Sequence, residues 1–247
     1  MTREEILLEG IDAAKPGVEI GPGFRPLAPK ASGYSTKTVD YTTAENLKVK
    51  YANQGVDVSR IEEVDVIWNE GQLSDLFGQD QVDWILASHV LEHVPDLIGF
   101  LQSCEKILKV GGVLSLAIPD KRYCFDCRRQ VSSLSRIIDV HEAGAARQTL
   151  GACMEYYLKV CLQDGALAWN QGEEGIKIPL HSLAELRNAA EKTRKGIILD
   201  IHNWVFTDQT FFESIQDLQS LGFIKLKIKT FVGTKGHEFF IQLEKKP

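Results

Sequence analysis

Short apolar runs recur through the first half of the chain, at Gly17 to Ile20, Thr36 to Asp40, Val64 to Trp68, Val82 to Ser88 and Gly112 to Pro119, and the segments between them have helical character. Such alternation predicts βαβ units, a parallel sheet with helices on both faces. The run at Val82, VDWILAS, is nearly continuous in apolar residues, as a strand covered on both faces must be, so it is expected near the middle of the sheet. Leu97, Phe100, Leu101, Cys104 and Leu108 follow at helical spacing and stop at Gly111 and Gly112, which predicts one complete strand, helix, strand unit. Before the first strand, Ile6, Leu7, Leu8 and Ile11 among charged residues predict an amphipathic helix within residues 1–14.

The pattern changes between residues 121 and 198. Helical stretches are expected around Ser133 to Thr149, Gly151 to Gln163 and Ser182 to Lys195, with no strand signal between them. A helical insertion placed after the fifth strand follows a strand end that faces the ligand crevice, which suits a lid or a substrate platform. After it, FTDQTFFESIQDLQSLGF reads as a capped amphipathic helix with Phe211, Phe212, Ile215, Leu218 and Leu221 on one face, ended by Gly222. The runs FIKLKIKTFV and HEFFIQLEKK, joined by GTKG, predict a closing antiparallel hairpin. The fold class expected is α/β: one Rossmann-like domain over residues 1–247, its mostly parallel sheet closed by an antiparallel strand.

Composition narrows the partners. With 44% hydrophobic residues in 247, a sizeable core is available, and a formal charge of −6 disfavours a nonspecific grip on nucleic acid, so no DNA partner is expected. The start, MTREEILLEG, lacks the succession of a secretory signal, and no apolar run approaches a membrane span. Five cysteines in irregular positions suit reduced thiols, and a cytoplasmic location is expected. Cys124 and Cys127 form a lone CxxC, where zinc ordinarily needs a second pair, so both are read as incidental thiols.

The first strand runs into VEIGPGFRPL. Gly21 and Gly23, with Pro22 between them, let the backbone bend sharply and approach a ligand closely. A dinucleotide site would place a third glycine where Pro26 stands. Glu19 would repel a pyrophosphate and attract an ammonium, which favours a nucleoside bearing an amino acid. Asp40, at the end of the second strand, is placed to accept from two ribose hydroxyls, a role that a nicotinamide-dependent oxidoreductase would also give it.

EIGPG with Asp40, then VDWILASHVLEHVPD, then LKVGGVLSLAIPD, together resemble a class I S-adenosylmethionine-dependent methyltransferase over roughly Gly17 to Asp120. The resemblance implies a seven-stranded sheet and S-adenosylmethionine as cofactor. It places Glu19 by the methionine end, Asp40 on the ribose, Glu70 to Leu73, with Gln72 and Leu73, along the adenine, and Ser88 and His89 facing the cofactor. Arg25 stands where that family has a further glycine, which leaves open a binding module that lost transfer. IPDKRYCFD and HNWVFT resemble bacterial methyltransferase-domain proteins linked with carbohydrate or surface-glycan pathways, implying a small-molecule or glycan hydroxyl as acceptor.

His89, Glu92 and His93 spell HxxEH, a metallopeptidase signature inside a long helix, yet they follow a buried strand and precede Pro95. A second metal reading has imidazole and carboxylate on one helical face, as certain methyltransferases resemble with ExxEH. The reading taken is that LEHV lines the pocket without a metal. A hydroxyl nucleophile gains from a base of near-neutral pKa, and among the candidates His89, His93 and His202, the catalytic residues expected are His89 first and His202 second. Asp120, at the end of the fifth strand, also reaches the ligand edge.

Overall fold

The computed structural model describes Met1–Pro247. Its nine strands are β1 (Gly17–Ile20), β2 (Thr36–Asp40), β3 (Val66–Ile67), β4 (Val82–Ser88), β5 (Leu108–Pro119), β6 (Cys161–Gln163), β7 (Lys177–Pro179), β8 (Lys227–Lys235) and β9 (Glu238–Glu244). The helices are α1 (Arg3–Leu7), α2 (Ala44–Tyr51), α3 (Leu97–Ile107), α4 (Leu134–Glu142), α5 (Leu150–Lys159), α6 (Leu183–Arg194) and α7 (Asp208–Ser220).

Seven strands form one sheet in the order β3-β2-β1-β4-β5-β9-β8. β1 to β5 are mutually parallel, and β9 closes antiparallel on β5 with β8 outside it, as the sequence predicts. β4 shows why a central strand reads as continuously apolar: Ile85 and Ala87 join the core under α3, α4 and α7, while Trp84 and Leu86 point to the other face. That second face is covered by Ile6 and Leu7 of α1 and by Leu27 and Ala28 of the loop after β1. No helix is long and apolar enough to cross a membrane.

Gly17 owes its identity to this second face, because a β-carbon there would overlap the Trp84 indole, which is 1% exposed. Gly17→Ala forces the largest side chain of the layer off its position, and an overpacked core costs about 1–3 kcal/mol. Denaturant unfolding should show that loss, with Gly151→Ala, a helical glycine outside the left-handed region whose β-carbon would meet nothing closer than 4.0 Å, as the control for adding a methyl without a clash.

Three expectations need correction. The N-terminal helix covers five residues rather than residues 1–14; the capping box between Thr2 and Glu5 starts it, and the chain leaves helical geometry at Leu8. The insertion over 121–198 is not wholly helical, since β6 and β7 pair antiparallel within it. Three-residue strands are too short for a period of two to show, and CLQ was absorbed into the helical stretch before it. Finally, β5 begins at Leu108, not Gly112: Lys106 and Lys109 flank a true helix stop at Ile107, and Gly111 at φ +83° carries the strand on through Gly112. α7 is as expected on its inner face, where Phe211, Ile215 and Leu218 are buried, whereas Leu221 lies past its end and is exposed.

Candidate functional site

β1, β2 and β4 end at one edge of the sheet, and the order of strands reverses between β1 and β4, so the loop after Ile20, the Asp40 side chain and the turn after Ser88 converge there. Gly21 and Gly23 take φ of +62° and +51°. A β-carbon on Gly21 would stand 2.9 Å from Val90 Cγ2, so glycine is needed for room as well as for conformation. Glu19 is buried beneath this loop, and its two oxygens accept from the amides of Leu27 at 2.7 Å and Ala28 at 3.0 Å. Burial pushes its carboxyl up to about 7 despite those amides. Asp40 accepts from the Tyr41 amide at 2.8 Å and sits beside the Gly23 amide; burial raises its carboxyl above the ordinary range, and the amides and the Lys50 ammonium offset only part of this. The glycine loop forms one wall of a cleft of about 1050 Å³ that Tyr51, Ser88, His89 and Glu238 also line.

His89 turns the chain out of β4 with φ +54°, a conformation uncommon outside glycine. Its Nε2 lies 2.8 Å from Glu238 Oε2, and its Nδ1 lies 3.6 Å from Glu92 Oε1. Glu238 reaches it because β9 runs antiparallel and starts opposite Pro119, at the same edge where the parallel strands end. Arg3 Nε donates to the other Glu238 oxygen at 2.7 Å, and Arg3 also donates to Ser88 Oγ. Burial disfavours the imidazolium, but Glu238 and Glu92 outweigh it and hold the His89 pKa above its usual value.

Behind His89 lies a smaller cavity of about 180 Å³, lined by His89, Glu92, His93, Cys124, His202 and His237. His89 and His237 border both cavities. Residues 91–93 form a turn, not a helix, so HxxEH lacks the continuous helix a metallopeptidase would use. The turn is laced to the segment that follows the insertion: Glu92 O accepts from the amides of Asn203 at 2.6 Å and Trp204 at 3.1 Å, His93 O from Asn203 Nδ2 at 2.7 Å, and Val94 O from Trp204 Nε1 at 2.7 Å. His202 Nδ1 is 2.5 Å from Asp126 Oδ2, and Asp126 Oδ1 accepts from Arg129 Nη1 at 2.8 Å. Burial alone would raise the Asp126 carboxyl, and the neighbouring His202 and Arg129 bring it below its usual range.

Glu19, Gly21, Pro22, Gly23, Ser88 and His89 thus come together on the larger cleft. Asp40 is buried beside the Gly23 amide and does not line that cleft, Gln72 is exposed at the start of a short turn, and the Leu73 side chain is inside the main core. His202 belongs to the smaller cavity. Asp120 does not reach the ligand edge: it is fully buried, accepts from the Arg122 amide at 2.9 Å and from Thr234 Oγ1 at 2.6 Å, and pairs with the Arg122 guanidinium. Cys124 and Cys127 do not pair; Cys127 Sγ instead lies 3.3 Å from Cys161 Sγ. Sequence reasoning missed Glu238, Arg3 and Asp126. Glu238 had a signal, an acid just after the hairpin turn at the start of an antiparallel strand; Arg3 sits at the start of the expected N-terminal helix, whose spacing does not tell where that charge reaches, and Asp126 lies in a turn that no period reveals.

A family described as a methyltransferase domain matches residues 3–193. Among solved structures, a candidate zinc-dependent alcohol dehydrogenase from Rhodobacter sphaeroides is similar with a TM-score of 0.54 at 14% identity, over 99% of this chain and 89% of its own. At that identity the likeness concerns the fold alone. A SAM-dependent methyltransferase from Aquifex aeolicus aligns with a TM-score of 0.49 at 13% identity, covering 98% of this chain and 89% of that one. One from Methanosarcina mazei gives 0.47 at 14%, covering 96% and 94%. No curated protein matches the sequence.

Proposed function

This chain belongs to the methyltransferase-domain family, and from that premise we propose that it methylates an oxygen of a small molecule or glycan precursor. The family makes it a methyltransferase dependent on S-adenosylmethionine. The site's residues fit that cofactor: the backbone at Gly21 and Gly23 forms a cradle that a β-carbon would fill, and Asp40 offers a carboxylate beside it at the strand edge. When bound, S-adenosylmethionine supplies an electrophilic methyl group on a sulfonium.

In this reading the loop Gly21–Pro22–Gly23 lies against the nucleoside, and Glu19 keeps the loop in shape through the Leu27 and Ala28 amides. Asp40 accepts from the ribose hydroxyls, Gln72 and the backbone of Leu73 border the base, and Ser88 and His89 face the methionine half. Just past the insertion, Asp200 contacts Lys50 Nζ of α2 at 3.3 Å and His93 Nδ1 at 3.0 Å, which ties that segment to the sheet edge beside the site. The acceptor's reacting group enters the smaller cavity. At about 180 Å³ it falls below the roughly 300–1,000 Å³ of a pocket for a drug-sized ligand, so it takes one small group rather than a whole acceptor.

The observation that carries the reading is His89, which borders both cavities and has Nε2 tied to Glu238. That bond fixes the tautomer and leaves Nδ1 on the cavity side, within reach of a hydroxyl proton. A neutral amine is nucleophilic without such help, and a hydroxyl is the acceptor that gains from it. Incubation with S-adenosylmethionine and a panel of sugar, nucleotide-sugar and phenolic hydroxyls, beside matched amines, tests this; a methyl ether product agrees with it, and N-methyl product alone refutes it.

Asp40→Ala removes a charged acceptor from the ribose. A hydrogen bond to a charged group contributes about 1.5–3 kcal/mol, so the affinity for S-adenosylhomocysteine should fall roughly 10- to 150-fold. Titration calorimetry measures it, and unchanged affinity would mean that the ribose lies elsewhere.

A further inference from the structure

We propose that Glu92, His93 and His202 bind one divalent transition-metal ion of the zinc type. Ligand atoms from these three side chains lie within 4.8 Å of one another, close enough to share a single ion. Two imidazoles and a carboxylate suit zinc, cobalt or iron, whereas magnesium and calcium prefer oxygen ligands throughout.

Three observations point to an ion rather than to an accidental cluster. First, Glu92 is 0% exposed, and neither of its carboxylate oxygens has a hydrogen-bond partner. The nearest imidazole nitrogens, His89 Nδ1 at 3.6 Å and His202 Nε2 at 3.9 Å, lie beyond hydrogen-bonding distance. A buried carboxylate without partners is costly, and a cation between it and the imidazoles removes that cost.

Second, the imidazoles are held from behind. Asp126 engages His202 Nδ1, is itself fixed by Arg129, and leaves Nε2 toward Glu92. Asp200 Oδ1 lies against His93 Nδ1, in a contact whose angle falls short of a hydrogen bond. Carboxylates behind ligating histidines set tautomer and ring orientation in metal sites. Third, the two segments that supply the ligands are laced by the four hydrogen bonds between residues 92–94 and 203–204, so the site is in place before any ion arrives.

Three protein ligands leave at least one position open on such an ion. All three side chains line the cavity assigned above to the acceptor, so an acceptor oxygen would complete the coordination, with its proton within reach of His89. This last consequence rests on the methyl-transfer reading, whereas ion binding does not.

The test uses the full chain, stripped with chelator and titrated with Co²⁺, followed by visible absorption and by metal analysis after gel filtration. One equivalent is expected, displaced by Zn²⁺. Glu92→Gln and His202→Ala should lose stoichiometric uptake, and Asp126→Asn should weaken it about 10- to 100-fold. His141→Ala, which changes a histidine paired with Asp96 and outside both cavities, should bind as the original does. Circular dichroism establishes that each variant is folded. Absence of bound Co²⁺ and Zn²⁺ in the unaltered protein, or full uptake by folded Glu92→Gln, overturns the site. One equivalent of ion with methyl transfer indifferent to it keeps the site and removes its role on the acceptor.

Discussion

Replacing His89 by Asn should lower kcat by about 10²- to 10⁴-fold, the range by which a positioned general base accelerates proton transfer. Asn is the informative substitution because position 89 holds φ +54°, a conformation Asn tolerates better than most side chains, so the backbone turn out of β4 is kept. An amide also stays polar at the mouth of both cavities, yet it cannot accept a proton. The affinity for S-adenosylhomocysteine should therefore stay within about a factor of ten of the original, which is 1.4 kcal/mol. Glu238→Gln provides the companion measurement. Glu238 orients His89 through Nε2 and lines only the larger cleft, not the smaller cavity assigned to the acceptor, so it is a positioning residue, and its loss should lower kcat less than His89→Asn while leaving the acceptor KM unchanged. A kcat for His89→Asn within a few-fold of the original would assign proton removal to another group or to none.

The ease with which parts of this fold were read follows from where their constraints lie. Strands buried on both faces advertise themselves: β1, β2 and β4 were delimited to the residue because VEI, TKTVD and VDWILAS sit between clear turn signals. The glycine loop was equally legible, since positive φ and close backbone approach select one residue type. The second half of the site was not. His202 was singled out for its place in the chain, but its partners Asp126 and Glu92 lie 76 and 110 residues away in sequence, and only the folded insertion brings them together. Glu19 illustrates a different gap. Its position under the loop was readable, while the direction of its carboxylate was not, because two backbone amides at Leu27 and Ala28 compete with any ligand for the same oxygens. The HxxEH string misled for the same reason that it is informative now: the spacing suggested one helical face, and the turn at residues 91–93 instead aims Glu92 and His93 at a histidine from another segment.

Arg129→Ala should destabilise the protein by about 3–5 kcal/mol, the loss measured when one member of a buried ion pair is removed and the other remains. The Arg129 side chain is fully buried, and its Nη1 donates to both Asp126 Oδ1 and His202 O at 2.8 Å, while Nη2 reaches Glu155 at 3.2 Å. Without it, Asp126 is left in the interior with only His202 Nδ1 and the Cys124 thiol as side-chain partners, and the His202 carbonyl loses its donor. At roughly 2–4 °C per kcal/mol for a chain of this size, the melting temperature should drop by about 6–20 °C. Glu155→Gln supplies the contrast, because that carboxylate is partly exposed and an ion pair near solvent contributes only about 0–1 kcal/mol. Arg129 also determines what His202 can do, since it holds the carboxylate that fixes the imidazole's tautomer. A variant that melts normally would show that the Asp126–His202 pair is kept in place by the backbone lacing alone, and equal losses in the two variants would place the weight on the surface end of the network rather than on its buried centre.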